Sequence, residues 1–456
     1  MIGFQLSEAA ALLDGTLRGG DAWFSSVGSD TRTLQPGDLF VAISGEHFDG
    51  NDFVEIARQR GAVAALVGRE IKTDLPTIQV PDVIAALGGL AAAWRDKSPA
   101  QVIGVTGSNG KTTLKEMTAA ILGQRHEVLA TRGNLNNDIG MPLTLTRLQQ
   151  HAFAVIEMGA NHAGEIAYLS HICRPDVAVL NNAGRAHLEG FGSLEGVARA
   201  KAEIMQGLAD DGVFVFNADD RFADLWRSLA QGRPQLSFGV QQAADVSSRV
   251  DSYRVEWLAD GFVTVFEVST PQHSFEVRLQ LAGEHNRMNA LAAIAACHAV
   301  GTDAEQMQAG LAALQPVAGR LCPVAGSNGA RIIDDSYNAN PESVIAALQV
   351  LHAAPGRRTL VLGDLGELGA DSVQLHAELG RQAAQVGIDC LFSCGELSAH
   401  ASGAFDGESR HFADQAELIG FLAGRLGSDD SVLIKGSRAS AMERVVNALR
   451  AQEAAC

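Results

Sequence analysis

The chain of 456 residues is short of positive charge, with 35 lysines and arginines against 53 aspartates and glutamates and a formal net charge of −18. A surface with this excess of negative charge repels phosphate backbones, so the composition argues against nucleic acid as a general partner. An anionic substrate would have to be bound by local arginines, lysines and helix N-termini, against the field of the whole molecule.

Targeting and membrane segments are lacking as well. The sequence has no run of about 18 apolar residues, the length that crosses a bilayer. The first residues, Met-Ile-Gly-Phe-Gln-Leu-Ser-Glu, have neither the basic region nor the apolar core of a signal peptide. The six cysteines show no metal-ligand spacing, which predicts reduced core thiols. These features predict a cytoplasmic protein without membrane insertion.

Apolar, strand-like runs alternate with helical patterns nearly throughout, which predicts a parallel α/β architecture. We predict three domains, divided at the polar segment before Pro99 and at Gln315-Pro316, so that they span residues 1–98, 99–315 and 316–456. Three runs between about 240 and 281 favour antiparallel strands, and 283–300 favours a long helix. The other main predicted strands are 39–43, 62–67, 152–156, 177–180, 213–216, 331–333, 359–362, 389–393 and 431–434.

Residues 102–113 read Val-Ile-Gly-Val-Thr-Gly-Ser-Asn-Gly-Lys-Thr-Thr and are the most informative stretch. An apolar run indicates a buried strand, glycines follow it, and helical spacing comes next. Such a strand, glycine loop and helix N-terminus form a phosphate cradle, in which Lys111 reaches the terminal phosphates and Thr112 is a magnesium ligand. The strict pattern has glycine where Val105 stands, and an ordinary glycine turn that caps a helix is the alternative. We predict a nucleoside triphosphate site formed by Gly107, Ser108, Asn109, Gly110, Lys111, Thr112 and Thr113.

Three ionisable residues follow this loop. Glu157 ends the buried run 153–157, and an acid at a strand end beside a phosphate cradle typically holds magnesium, although a merely solvated glutamate is the alternative. His187 follows the run 177–180, near the strand ends where catalytic groups of such sheets gather, although a structural histidine fits equally well. Lys201 lies in a helical stretch, where composition alone indicates a solvated lysine.

Four further polar clusters lie at predicted strand ends or helix starts. Asn286 and Asn289 begin the helix predicted from 283, where asparagine either caps the helix or faces a ligand. Arg320 lies near the second domain boundary. The runs 332–341 and 432–438 each end a strand with polar or charged residues. Each cluster alone is a weak signal, but together with the cradle they indicate an active site shared between domains.

Residues 105–112 resemble the glycine loop of the Mur ligase family, the ATP-dependent amide-forming enzymes of peptidoglycan precursor synthesis, whose version of the loop also accounts for Val105. The resemblance covers essentially the whole chain. Residues 157–162, 186–192 and 334–341 resemble in particular the members that add D-alanyl-D-alanine. The members that add diaminopimelate typically carry an Asp-Asn-Pro-Arg motif in their last domain, which this sequence lacks.

The resemblance implies a first domain that binds a UDP-linked substrate and a central, P-loop-type parallel-sheet domain that binds ATP. A C-terminal Rossmann-like domain would bind the incoming dipeptide and part of the nucleotide. ATP would phosphorylate the terminal carboxylate of UDP-N-acetylmuramoyl-tripeptide, and the amine of D-alanyl-D-alanine would attack the acyl phosphate. The pentapeptide product would serve peptidoglycan synthesis, and hence cell shape and cell division, and we expect a monomer.

The resemblance also implies two magnesium sites. Thr112 and Glu157 would hold the first ion, and His187 and Lys201 the second, with Lys201 carbamylated by carbon dioxide. A carbamate would turn the lysine into an oxygen donor. Lys111, His187 and Lys201 are therefore the expected catalytic residues.

The remaining contacts are implied by the resemblance alone. Asn286 and Asn289 would face the adenine, Asp335 the ribose and Arg320 the phosphates. The other substrates would be bound by Asp30, Thr31 and Arg32 at the UDP-sugar, by Asn134, Asn137 and Gly140 along the peptide, and by Lys435, Ser437 and Arg438 near the dipeptide.

Other functions stay open at this point. Another ligase of the superfamily, such as a folylpolyglutamate synthase, is the nearest alternative. A nucleotide-dependent switch or kinase is a second, although the guanine-reading Asn-Lys-x-Asp motif is absent. A non-enzymatic nucleotide-binding or scaffold protein is a third. Release of ADP with and without D-alanyl-D-alanine distinguishes them.

Overall fold

The structure is a computed structural model that describes residues 1–45, 48–184, 188–258 and 261–451. Within these residues the strands form three main sheets, one in each third of the chain, with helices packed against them. The predicted α/β class is confirmed.

The first sheet has the strand order β2-β7-β6-β5-β4, and β1 pairs with β3 beside it. Only β2 runs antiparallel to its neighbour in this sheet. The elements of this part are β1 (Phe4–Gln5), α1 (Leu6–Leu12), β2 (Thr16–Arg18), β3 (Trp23–Phe24), β4 (Val27–Gly28), β5 (Leu39–Val41), a 3-10 turn (Gly50–Phe53), α2 (Val54–Gln59), β6 (Ala64–Val67), β7 (Thr77–Gln79) and α3 (Val83–Lys97).

The central elements include the predicted glycine loop between β8 and α4. They are β8 (Gln101–Thr106), α4 (Lys111–Leu122), β9 (Val128–Ala130), α5 (Gly140–Leu145), β10 (Phe153–Glu157), α6 (Glu165–Cys173), β11 (Val177–Leu180), α7 (Leu188–Phe191), α8 (Leu194–Ala202), a 3-10 turn (Glu203–Gln206), β12 (Val213–Asn217), α9 (Ala223–Leu229), β13 (Gln235–Gly239), β14 (Val246–Ser247), a 3-10 turn (Val250–Ser252), β15 (Arg254–Leu258), β16 (Gly261–Ser269), β17 (Ser274–Leu279), α10 (Glu284–Ala299) and α11 (Ala304–Ala313).

The central sheet has the order β15-β16-β14-β13-β12-β11-β8-β10-β9, with β17 on β16. Strands β9 to β14 and β8 are parallel, whereas β15, β16 and β17 pair antiparallel, which confirms the predicted change of pattern. Because β8 lies between β10 and β11, the loops that follow these three strands meet at one edge of the sheet. That edge is where ligands of open α/β sheets bind.

The third sheet has the order β18-β19-β23-β20-β21-β22 and is parallel apart from β18. Its elements are β18 (Cys322–Ala325), a 3-10 turn (Ser327–Gly329), β19 (Arg331–Asp335), α12 (Pro341–His352), β20 (Arg357–Gly363), a 3-10 turn (Gly369–Asp371), α13 (Ser372–Val386), β21 (Cys390–Cys394), α14 (Ala399–Ala404), β22 (Glu408–Phe412), α15 (Gln415–Ala423), β23 (Asp430–Lys435), a 3-10 turn (Arg438–Ser440) and α16 (Glu443–Leu449).

Helix α3 joins the first sheet to the central one. Its Trp94 is fully buried, packs in a tilted orientation against the rings of Phe4 and Phe24, and donates a hydrogen bond from Nε1 to the carbonyl of Leu148 at 2.8 Å. The predicted linker is not loose either, since Lys97 at its centre donates to Glu8 at 2.8 Å. The first two parts of the chain therefore share one apolar core.

Candidate active site

The glycine loop has the geometry of an anion site. Strand β8 is buried along most of its length, and Gly110 at the N-cap of α4 has a φ of +77°, which only glycine adopts without strain. A Cβ at Gly110 would lie 2.3 Å from Oδ1 of Asn289, so a side chain at this position would also collide with helix α10. The N-terminus of α4 follows this loop without a side-chain cap, and a helix N-terminus favours an anion; the predicted contact with phosphate stays a prediction.

Lys111 lies over this loop. Its Nζ donates to the carbonyls of Gly107 at 2.7 Å and Ser108 at 3.3 Å. Burial lowers the pKa of the Lys111 ammonium, Glu157 opposes that shift, and nearby Arg320 adds to it. A ligand phosphate would relieve this unfavourable burial of charge because it offers Lys111 a full negative partner.

Thr112 and Glu157 lie in direct contact. The Thr112 hydroxyl donates to Oε2 of Glu157 at 2.9 Å, and Nδ2 of Asn136 donates to Oε1 at 2.8 Å. The Glu157 N–H in turn donates to Oγ1 of Thr131 at 3.0 Å, which fixes the end of β10. A hydroxyl and one buried carboxylate suit magnesium, which commonly takes one or two carboxylates and completes its shell with water and phosphate oxygens. The described residues hold no cluster of three His, Cys, Asp or Glu that would suit another kind of metal centre.

A network of asparagines supports the loop from behind, and the sequence did not predict it. Asn182 accepts from the Asn109 N–H at 2.8 Å, and Nδ2 of Asn181 donates to the Asn109 carbonyl at 3.0 Å. Asn181 also donates to Oδ1 of Asn289 at 2.8 Å, and Asn289 donates to Asn286 at 3.2 Å. Asn286 and Asn289 thus line the cleft with amides already bonded to each other; their predicted contact with adenine stays a prediction.

Lys201 is nine-tenths or more buried, near the end of β10. Its Nζ donates to the carbonyl of Ala160 at 3.3 Å and lies 5.1 Å from the centroid of the Phe191 ring. Burial and then the repulsion of Lys111 lower the pKa of Lys201 to about 7, against weaker opposition from acidic neighbours. The prediction from composition alone, that the Lys201 side chain is exposed to solvent, is therefore wrong. His187, predicted to share a metal ion with Lys201, lies outside the described residues.

The third sheet supplies the opposite wall. Asp335 and Lys435 end neighbouring strands in register and form an ion pair, with Nζ 2.6 Å from Oδ2. The guanidinium of Arg320 lies 4.4 Å from the centroid of the Tyr337 ring. Asn340 caps α12 and donates to Oδ1 of Asn109 at 2.7 Å, so it links this wall to the glycine loop.

Between these walls lies a cleft of about 750 Å³. Most of the residues predicted to bind nucleotide, metal or dipeptide line it, as does Asn134 of the predicted tripeptide path: Ser108, Asn109, Gly110, Lys111, Thr112, Thr113, Asn134, Glu157, Asn286, Asn289, Arg320, Asp335, Lys435, Ser437 and Arg438. The lining also includes Asn136, Tyr337 and Asn340, which were not predicted as site residues. In the sequence, Tyr337 and Asn340 could have been found from their position in the polar run 334–341, and Asn136 from its position between the predicted residues Asn134 and Asn137.

The other predicted substrate residues are not among those that line this cleft. Asp30 forms a bidentate ion pair with exposed Arg32, whose hydrogen bonds lower the pKa of Asp30 to about 2. Thr31 is the residue between these two in the sequence. Asn137 accepts from the N–H of Gly140, the first residue of α5, at 2.9 Å. A Cβ at Gly140 would lie 2.4 Å from Cα of Leu135, so this glycine is required by close packing. Their contacts with substrate stay predictions.

Every helix among the described residues is too short or too polar to cross a lipid bilayer. Comparison with known proteins matches residues 24–95 to the Mur ligase family catalytic domain, 105–297 to the Mur ligase middle domain and 319–438 to the Mur ligase glutamate ligase domain.

One relative and two solved structures extend these matches along the chain. The UDP-N-acetylmuramoyl-tripeptide–D-alanyl-D-alanine ligase of Escherichia coli is 46% identical over 453 residues, 99% of each chain. The crystal structure of MurF from Acinetobacter baumannii superposes with a TM-score of 0.91 at 37% identity, covering 98% of both chains. Another similar structure, MurF from Thermotoga maritima in complex with ADP, has a TM-score of 0.82 at 31% identity, covering 93% of this chain and 96% of that one. The chain therefore belongs to the Mur ligase family.

Proposed function

We propose that this chain is the ATP-dependent ligase that joins D-alanyl-D-alanine to UDP-N-acetylmuramoyl-tripeptide. The 46% identity to a relative of that name along 99% of both chains carries the proposal. The cleft between the glycine loop and the third sheet supports it, because that cleft brings cations, amides and a buried carboxylate to one place. The product is the UDP-MurNAc-pentapeptide, a precursor of peptidoglycan, and we place the reaction in the cytoplasm.

The chemistry requires a carboxylate to attack the γ-phosphorus of ATP, so negative charge must be neutralised. We assign this task to Lys111 and Arg320, which lie at the cleft and already affect each other electrostatically. The tripeptide carboxylate oxygen forms a bond to phosphorus and ADP leaves, giving an acyl phosphate. The dipeptide amine then attacks the acyl carbon, and inorganic phosphate leaves with the bonding electrons as the amide forms and the amine loses a proton.

Thr112 and Glu157 would hold a magnesium ion, because the pair presents a hydroxyl and a carboxylate oxygen beside the glycine loop. When bound, the ion would neutralise phosphate charge. Asn136 would keep the Glu157 carboxylate oriented, since it already donates to the oxygen that Thr112 does not use.

We propose that Lys201 reacts with carbon dioxide. The neutral amine adds to the carbon of CO2 and loses one proton, and the resulting carbamate carries a negative charge. Burial and the neighbouring Lys111 both favour the neutral amine that reacts, since both disfavour the ammonium form, and the positive charge of Lys111 also stabilises the negative charge of the carbamate. The carbamate and His187 would then hold a second magnesium ion, a role that a lysine ammonium cannot fill.

We further propose that residues 1–98 bind the UDP-sugar, with Asp30, Thr31 and Arg32 in contact with it. Residues 99–315 would bind ATP, with the tripeptide near Asn134, Asn137 and Gly140, and residues 316–456 would bind the dipeptide and part of the nucleotide. We expect the enzyme to act as a monomer.

The direct test is release of ADP and phosphate from ATP in the presence of UDP-MurNAc-tripeptide, with and without D-alanyl-D-alanine. We expect release to depend on the dipeptide and to match formation of an amide product by mass spectrometry. L-alanyl-L-alanine is the matched control. An enzyme that forms no amide with D-alanyl-D-alanine would refute the assignment.

A further inference from the structure

His376, in the first turns of α13, is a fully buried histidine outside the machinery described above. Its Nδ1 lies 2.6 Å from the carbonyl of Ser372, and its Nε2 accepts from the N–H of Leu365 at 3.0 Å. A carbonyl can only accept, so Nδ1 carries the proton, and Nε2 must present a lone pair to Leu365. The two partners therefore select one neutral tautomer.

The N–H that His376 accepts belongs to a wall of the cleft. Leu365 lies in the segment after β20, and the next three residues, Gly366, Glu367 and Leu368, line the cleft. Glu367 has a φ of +60°, which costs a non-glycine residue energy and must be held by its surroundings. The hydrogen bond to His376 is a buried restraint on this segment, two residues before the strained position.

The same segment is tied to the loop after β23. The carbonyl of Asp364 accepts from the Ser437 N–H at 2.8 Å and from the Ser440 hydroxyl at 2.7 Å. Residues 437–439 also line the cleft. The restraint from His376 is thereby shared by two neighbouring loops that form one continuous wall.

We propose that His376 is a positioning residue for the acceptor dipeptide: through the N–H of Leu365 it sets the wall formed by residues 366–368 and 437–439. This inference rests on the proposed function, which places the dipeptide at this end of the cleft. His376 itself does not touch substrate. Substitution of His376 should change the KM for D-alanyl-D-alanine and leave unchanged the glycine loop, where the proposed function places ATP.

Two substitutions by amide side chains test the two hydrogen bonds of His376 one at a time. His376→Gln carries an oxygen where Nε2 stands and retains the acceptor for Leu365. His376→Asn is shorter, retains a donor near Ser372, and leaves the Leu365 N–H buried without its partner. Each variant loses one hydrogen bond, so a purely structural role would lower the melting temperature of both and affect all three substrates equally. Ser440→Ala is the second test, because it loosens the same segment at Asp364 without altering α13.

The experiment measures KM for each substrate and kcat for the full chain. Leaving a buried N–H without its acceptor has a free-energy cost that corresponds to a change of about fivefold or more in an equilibrium constant. We expect His376→Asn to raise the dipeptide KM by that factor, His376→Gln to stay within about twofold, and ATP and UDP-tripeptide KM to stay unchanged in both. Ser440→Ala should raise the dipeptide KM alone, and this carries the test if His376→Asn does not fold. Equal dipeptide KM in the two His376 variants, or a rise shared by all substrates, would overturn the inference. Absence of ligation by the wild type would instead refute the proposed function.

Discussion

The proposed carbamate on Lys201 can be tested directly, because burial and the nearby Lys111 lower the pKa of Lys201 to about 7 and so give the reaction a defined pH dependence. With a pKa of about 7, about half of the Lys201 amines are neutral at pH 7, whereas an ordinary lysine with a pKa of about 10.4 is neutral in about 0.04% of molecules. The reactive form is therefore enriched about a thousandfold. Raising the pH from 6 to 8 should increase the neutral fraction from about 10% to about 90%, since the proton is lost as the pH passes the pKa.

The assay is 13C NMR of the protein in 13C-labelled bicarbonate. We expect one carbamate resonance in the wild type, growing between pH 6 and 8, and none in Lys201→Met. Lys115→Met is the matched control, because Lys115 is also buried but its Nζ pairs with Glu116 and donates to the carbonyl of Thr131 at 2.6 Å. This control should keep the resonance.

The rate of ligation should change in parallel with the intensity of the carbamate resonance. Lys201→Met should lose nearly all turnover, and formate or acetate should restore part of it by supplying the missing carboxylate-like oxygens. A resonance that persists in Lys201→Met, or a fully active Lys201→Met enzyme, would refute the reasoning.

Three further outcomes are expected. Lys111→Ala should lower ATP-dependent phosphate release by about a hundredfold or more while circular dichroism stays unchanged, because the Nζ contacts only loop carbonyls; near-wild-type turnover would contradict its role. Lys435→Met should destabilise the protein in urea by about 3 kcal/mol, because it leaves the mostly buried Asp335 carboxylate without its partner, and the double variant with Asp335→Asn should recover part of that loss. X-ray scattering should show compaction when an ATP analogue and UDP-tripeptide are added, since an acyl phosphate needs protection from water, and an unchanged curve would count against closure.

The sequence was most informative where one local segment sets the geometry. Strand β8, its glycine loop and α4 are contiguous, so their apolar pattern and glycines were sufficient to predict the strand, loop and helix that surround Lys111. The position of Glu157 beside the loop was predictable for a similar reason, because the acid ends a buried strand next to β8, while its metal role stays a prediction. The change to antiparallel pairing at β15 to β17 was also visible in the pattern of apolar runs.

Contacts that depend on strand order were not predictable. Asp335 and Lys435 are paired in register although three strands lie between them in the sequence, and no local pattern reveals that β19 and β23 are neighbours. The burial of Lys201 is similar, since a helix with a lysine on its buried face looks like any solvated amphipathic helix. The asparagine network of Asn181 and Asn289 joins residues more than a hundred positions apart, and asparagine has too many ordinary roles to signal it.

The burial of Trp94 has a consequence for how the molecule comes apart. Since α3 fills a core shared by the first and central sheets, removing the first 98 residues would expose a wide apolar surface on the remainder. These two parts should accordingly unfold in one cooperative transition, and neither should be obtained as a well-behaved isolated fragment.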